Sequence, residues 1–153
     1  LRRYRKICFW RFVMNKLAVG DADALVALAD QKDANHDKAR KVSEWLRARA
    51  YEVVFPNTAI LEAIAALKRA KNLPEKAHLI NRQYQAGAFL VKFVNAGIQL
   101  RASKRFEKTV SKKNTIFDAI VAETAVEIEA DYIFSFDRWY SKEGFRLAED
   151  ARD

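Results

Sequence analysis

At 153 residues the chain is long enough for one domain with a core of ordinary size. Half of it is hydrophobic and it holds only four Gly and two Pro, which excludes disordered, fibrous and low-complexity classes. The net charge of +8 suggests a polyanionic partner, while one cysteine, Cys8, and two histidines exclude an internal disulfide and a zinc site of nitrogen and sulfur alone.

Much of that charge is local. Residues 1–13, LRRYRKICFWRFV, carry five Arg/Lys and no acid, so the chain from Met14 on is only +3 (8 less 5). Met14 is a natural start, since NKLAVGD runs straight into a strand. Residues 1–13 are therefore expected to be a leader, appended or translated from upstream, ahead of a single domain over 14–153. As a secretory signal the segment fails, because its apolar run ICFW is short and Arg11 breaks it. No stretch approaches the ~18 apolar residues of a membrane-spanning helix, so a soluble, cytoplasmic protein is expected.

From Met14 the pattern alternates. A short apolar strand, about 15–20, leads into the helix DALVALAD. The polar turn QKDAN precedes an amphipathic helix over about 36–50, where Ala39, Val42, Trp45 and Leu46 recur at helical spacing. A strand over 52–55 stops at Pro56, and a helix follows to about 71. Pro74 suits the first turn of the next helix, which is expected to run to about 96 and end at Gly97. Ile98-Gln99-Leu100 then reads as a third short strand. After it come a basic helix over about 103–112, an apolar helix around Asp118, a strand at 132–136 and a last short strand near 145–147. Strands separated by helices imply one α/β domain, its parallel sheet covered on both faces.

Four carboxylates stand out against this pattern. Asp21 follows the first strand and Asp137 follows the strand of FSFD, so both point to the carboxyl rim of the sheet, where open parallel sheets place their sites. Glu62 interrupts the helix NTAILEAIAAL beside the small residues Thr58, Ala65 and Ala66. Asp118 lies in the first turn of NTIFDAIVAETA, where the helix dipole favours an anion. Each has a local explanation: Asp21 or Asp23 as a helix cap, Thr115-x-x-Asp118 as a capping box, Glu62 as a solvated residue and Asp137 as a turn residue. Together they suggest a shared cation, because several ionised carboxylates repel unless one lies between them. Hard oxygen donors select Mg²⁺ or Mn²⁺, one or two ions. No Ser, Thr or Cys has a His placed to make it a nucleophile.

In this order GDADALVALAD, the Glu62 helix, FDAIVAETA and FSFD resemble the PIN domain, the nuclease fold of VapC-type toxins. The resemblance runs from Met14 to about Asp150. It implies a three-layer α/β/α sandwich with a central parallel sheet of four to five strands, and a metal-dependent endoribonuclease that is the toxin of a type II toxin–antitoxin pair. Asp21, Glu62, Asp118 and Asp137 take the family's four acids in order. Asp23 falls where the family often has Asn, Ser or Asp, and Ser135 at a hydroxyl position two before the last acid. On this basis Asp21, Asp118 and Asp137 are expected to bind Mg²⁺ or Mn²⁺ directly or through water. Glu62 would bind a second ion or orient the attacking water, and Ser135 would fix a neighbouring carboxylate. Gly20 departs from the more usual apolar or β-branched residue, and residues 73–113 fit the family only in outline. An RNA substrate, an antitoxin partner and a homodimer are implied as well.

Basic residues that can grip phosphates without reading sequence cluster at Arg101, Lys104, Arg105, Lys108, Lys112 and Lys113, and again at Lys68, Arg69 and Lys71. The apolar stretch over 86–94, with Phe89, Leu90 and Phe93, is expected to be core or a dimer contact. His36 reads as a helix-start residue. Two rivals remain. Asp21-Ala22-Asp23 after a strand resembles the D-x-D motif of haloacid-dehalogenase phosphatases, though FDRWYSKEG is a poor match to the paired-acid loop they need. A PIN-like module that binds RNA without cutting it is the other.

Overall fold

The structure, a computed structural model, describes residues 15–152; the expected leader over 1–13, with Cys8, lies outside the described residues. Four parallel strands form one sheet in the order β3-β2-β1-β4: β1 (Leu17–Gly20), β2 (Glu52–Pro56), β3 (Leu90–Lys92) and β4 (Tyr132–Phe134). β1 is central, with Val19 opposite Val54 on one side and Ile133 on the other. Both faces are covered, which is why LAVG and YIF are almost wholly apolar and buried.

Alternation along the strands assigns the layers. Ala18, Tyr132 and Phe134 face the buried side of α2 (His36–Ala48), packing on Ala39, Val42 and Leu46. Val19 and Ile133 face the opposite way, onto Val121, Ala122 and Ala125 of α6 (Ile116–Glu127). Seven successive residues of α6, Ala119–Ala125, are buried, Glu123 among them, so over this stretch the helix has no side open to solvent. α1 (Ala22–Ala29), α3 (Asn57–Arg69) and α4 (Pro74–Gln85) share a third apolar cluster around Phe55, Ile60 and Leu67. The three-layer sandwich expected from the sequence is present.

Two expectations for the middle of the chain are corrected. The helix beginning at Pro74 ends at Gln85, not near 96; Gly87 turns the chain at φ +74, and Leu90–Lys92 becomes β3 beside Val54–Pro56. Ile98–Leu100 is not a strand but part of α5 (Ala96–Glu107), whose cap Asn95 accepts a hydrogen bond from the Ile98 amide at 2.9 Å. α5 therefore begins earlier than the expected basic helix and ends before Lys112 and Lys113. Near 145–147 a single bridge, Ile133 to Leu147, stands where a short strand was expected. The apolar stretch over 86–94 divides: Phe89 packs edge-on against Phe55, whereas Leu90 and Phe93 are exposed.

Gly20 has a steric reason. A Cβ there would collide with the Phe55 ring. The chain can therefore leave β1 close against β2 only without a side chain, and that exit sets the position of Asp21.

Candidate active site

At the carboxyl end of the sheet lies an open cavity of about 510 Å³. Asp21, Asp23, Glu62, Asp118 and Asp137 all line it. Five elements deliver them: the end of β1, the first turn of α1, the middle of α3, the first turn of α6 and the loop after β4.

Asp21 continues the β1 ladder, its amide donating to Phe134 O at 3.1 Å, and then caps α1. Its Oδ1 accepts from the Ala22 amide at 2.6 Å and its Oδ2 from the Tyr140 hydroxyl at 2.7 Å. Asp23 Oδ2 accepts from Ser135 Oγ at 2.9 Å and from the Phe136 amide at 2.8 Å. Ser135 Oγ also stands 3.4 Å from Asp21 Oδ2, but it has one proton and Asp23 is nearer. The same hydroxyl accepts from the Asp137 amide at 3.1 Å, so one buried serine ties Asp23 to the Asp137 backbone.

Asp118 completes a capping box with Thr115, its Oδ2 accepting from the Thr115 amide at 2.6 Å. Asp137 Oδ1 accepts from the Trp139 amide at 2.9 Å, and Oδ2 from Asn114 Nδ2 at 3.0 Å, with Lys113 Nζ 3.5 Å away. Glu62 has no hydrogen bond or ion pair among the described residues. The local roles of Asp21 and Asp118 as caps are thus real, and both acids face the cavity as well.

Burial and mutual repulsion govern the charges. Burial, then the charges of Asp23 and Asp118, push Asp21 well above the usual carboxylate range, against the hydrogen bond from Tyr140. Asp23 and Asp118 are raised chiefly by burial, each with a further push from Asp137. Glu62 is raised to about 7 by burial first and then by Asp118 and Asp23. Each is a group kept from solvent beside like charge.

The donor set is all oxygen, which suits Mg²⁺ or Mn²⁺. Among the described residues no three His, Cys, Asp or Glu side chains are drawn together closely enough to hold an ion as they stand. Asp21, Asp23, Asp118 and Asp137 are instead each held by the bonds just described. Among the carboxylates of the cavity, Asp23 Oδ1 is buried with no hydrogen-bond partner, a costly state unless a cation or a water meets it. The residues present therefore fit a hard cation: Lys113 pairs with Asp137 alone, and Asp21, Asp23, Glu62 and Asp118 have no lysine or arginine partner among the described residues.

Of the basic residues singled out in the sequence, Lys113 alone lines this cavity. Arg105 is committed elsewhere, its Nε donating to Glu123 at 2.8 Å and its Nη1 to Glu143 at 2.9 Å. Lys68, Arg69 and Lys112 are exposed and do not line it. Lys71 bridges Asp33 at 2.7 Å and Asp30 at 3.4 Å, pinning the turn whose Asp33 and Asn35 form the cavity's far wall. His36 begins α2, its Nδ1 2.7 Å from Ala27 O.

Two residues of the site escaped the sequence reading. Tyr140 lies wholly in the core and looks there like any aromatic, its hydroxyl being the one sign of a polar task. Asn114 precedes the capping box and reads as a loop residue, yet it is buried between Ser111 and Asp137.

Sheet and acidic rim together define an α/β domain with a carboxylate centre at the strand ends. A family model of the PIN domain matches residues 18–143, and the chain belongs to the PIN domain family. Among solved structures it is similar to Mycobacterium tuberculosis VapC20, described as a sarcin-ricin loop cleaving toxin. The two are 19% identical over 85% of this chain and 96% of that one, with a TM-score of 0.73, and share the fold. No curated protein matches.

Proposed function

We propose that the chain is a metal-dependent endoribonuclease using Mg²⁺ or Mn²⁺, the toxin of a type II toxin–antitoxin pair. The observation that carries the reading is the convergence of five carboxylates on one open cavity, where burial and repulsion raise four of them. Bound ions would acidify a water and offset charge building on a phosphodiester. Asp21, Asp118 and Asp137 would hold them directly or through water, and Glu62 would hold a second ion or orient the attacking water. Tyr140 and Ser135 keep Asp21 and Asp23 in place from behind, so that each carboxylate keeps a fixed rotamer.

Membership of the PIN family supports the nuclease part of this reading. The fold shared with a sarcin-ricin loop cleaving toxin supports the choice of RNA and of an antitoxin partner. The exposed Leu90 and Phe93, on and beside the edge strand β3, are apolar enough to suit the expected homodimer. Among the described residues no helix is long and apolar enough to cross a membrane.

The test is cleavage of a mixed pool of transfer and ribosomal RNA fragments by wild type and Asp118→Asn, each with Mn²⁺, Mg²⁺ or EDTA. Discrete products that require both metal and Asp118 are expected. RNA binding with no metal-dependent product would favour the non-catalytic module instead.

A further inference from the structure

The acid cavity continues on its Asp137 side. Lys113 and Asp137 line both it and a second hollow of about 510 Å³. Lys108, Thr109 and Glu143 carry that hollow into a third of about 330 Å³. The three hollows adjoin through these shared residues and lie in a row, a stepped trough from the carboxylates past the loop after α5 and along the last turns of that helix.

Charge changes sign along it. The cavity holds six acids to one lysine, whereas the two hollows beyond hold seven bases to three acids. Lys113 pairs with Asp137 at 3.5 Å, and the other six bases are of two kinds. Arg101 and Arg105 are clamped by Glu123, Glu127 and Glu143, and Arg138 by Asp150, so their charge is largely answered within the fold. Lys104, Lys108 and Lys142 are exposed and form no ion pair among the described residues. Lys104 and Lys108 stand one helical turn apart, about 6 Å of rise, a spacing that suits successive phosphates of an extended strand. Trp139, the one aromatic lining the trough beyond the cavity, is 8% exposed and offers no open face for a base.

We propose that this trough is the track of a single RNA strand leaving the scissile bond on one side, held at its phosphates by Lys104, Lys108 and Lys142. The inference rests on the reading of the cavity as a nuclease centre. Exposed ammonium groups carry the grip because phosphate binding releases condensed counterions, and that gain is indifferent to sequence. The clamped arginines form the wall. Lys68 and Arg69 line none of the three hollows and lie off the track.

Binding of a labelled single-stranded RNA of mixed sequence, in EDTA so that no cleavage competes, tests this against salt concentration. The variant Lys104→Gln/Lys108→Gln/Lys142→Gln is compared with Lys41→Gln/Arg47→Gln/Arg82→Gln, which removes the same charge from exposed positions elsewhere. The trough variant should bind on the order of 10- to 100-fold more weakly, with a logarithmic salt slope smaller by about 2, while the control stays within about threefold of wild type. Equal losses in the two variants would overturn the track, since net charge alone would then explain them. Displacement of the RNA by polyglutamate of matched length and similar affinity would also overturn it, in favour of an acidic protein partner. A wild type that cuts RNA alongside a trough variant that binds normally sinks the track alone. Trough-dependent binding without any metal-dependent cutting keeps the track and sinks the nuclease reading.

Discussion

Asp21 and Glu123 are buried to the same degree, each 6% exposed, in opposite surroundings. Glu123 is met by Arg105 Nε at 2.8 Å and Arg101 Nε at 3.3 Å, so its charge is answered inside the fold. Asp21 faces Asp23 and Asp118, with only the Tyr140 hydroxyl and one amide to offset them. A buried charge left among like charges weakens a fold, and it persists where something outside the chain answers it. Glu123 is therefore a joint between α5 and α6, whereas the like charge around Asp21 is what the proposed metal site would answer.

Substitution of each acid should separate the two. Asp21→Asn should lower RNA cleavage by at least about 10³-fold, roughly 4 kcal/mol of barrier. It relieves repulsion, so the metal-free protein should melt no lower than wild type. Saturating Mn²⁺ should raise the melting temperature of wild type and leave that of the variant unmoved, as calorimetry would read. A Mn²⁺ shift of wild-type size in the variant would remove Asp21 from the ion's ligands. Glu123→Gln should do the reverse, costing about 2 kcal/mol of stability by leaving two guanidinium groups short of a partner. Urea titration measures that loss, and an unchanged midpoint would show the joint to be idle.

Glu62 sharpens the contrast through pH. Its carboxyl is raised from 4.5 to about 7, so the metal-free fold binds its proton more tightly than the unfolded chain does. The stability this brings is fully present below about pH 4.5 and is lost as pH rises through about 7. Partial exposure of the group keeps the effect small. Stability measured in EDTA should therefore fall across that window in wild type, and the fall should be shallower in Glu62→Gln. Identical slopes in the two proteins would show that Glu62 titrates as an ordinary surface acid.

The same contrast marks what was legible in the chain. Asp21 and Asp137 could be placed because each follows a short apolar strand, and a strand followed by an acid puts that acid at the rim of a parallel sheet. Asp118 could be placed by its capping box with Thr115, a pattern spanning four residues. β3 was misplaced because Phe89, Leu90 and Phe93 also fit a helical period, and only pairing with β2 decides the matter. Arg105 looked like a phosphate grip because its partners, Glu123 and Glu143, lie 18 and 38 residues away.

By itself the sequence determined the alternating elements, their caps and the approach of acids to the strand ends. Each of these depends on neighbours within a turn of helix or a few residues of strand. Which charges are answered and which are left open was decided by tertiary structure alone. Tyr140 reaches Asp21 across 119 residues of chain, and Ser135 reaches Asp23 across 112. Such pairings are set by how sheet and helices stack, and no local pattern records them.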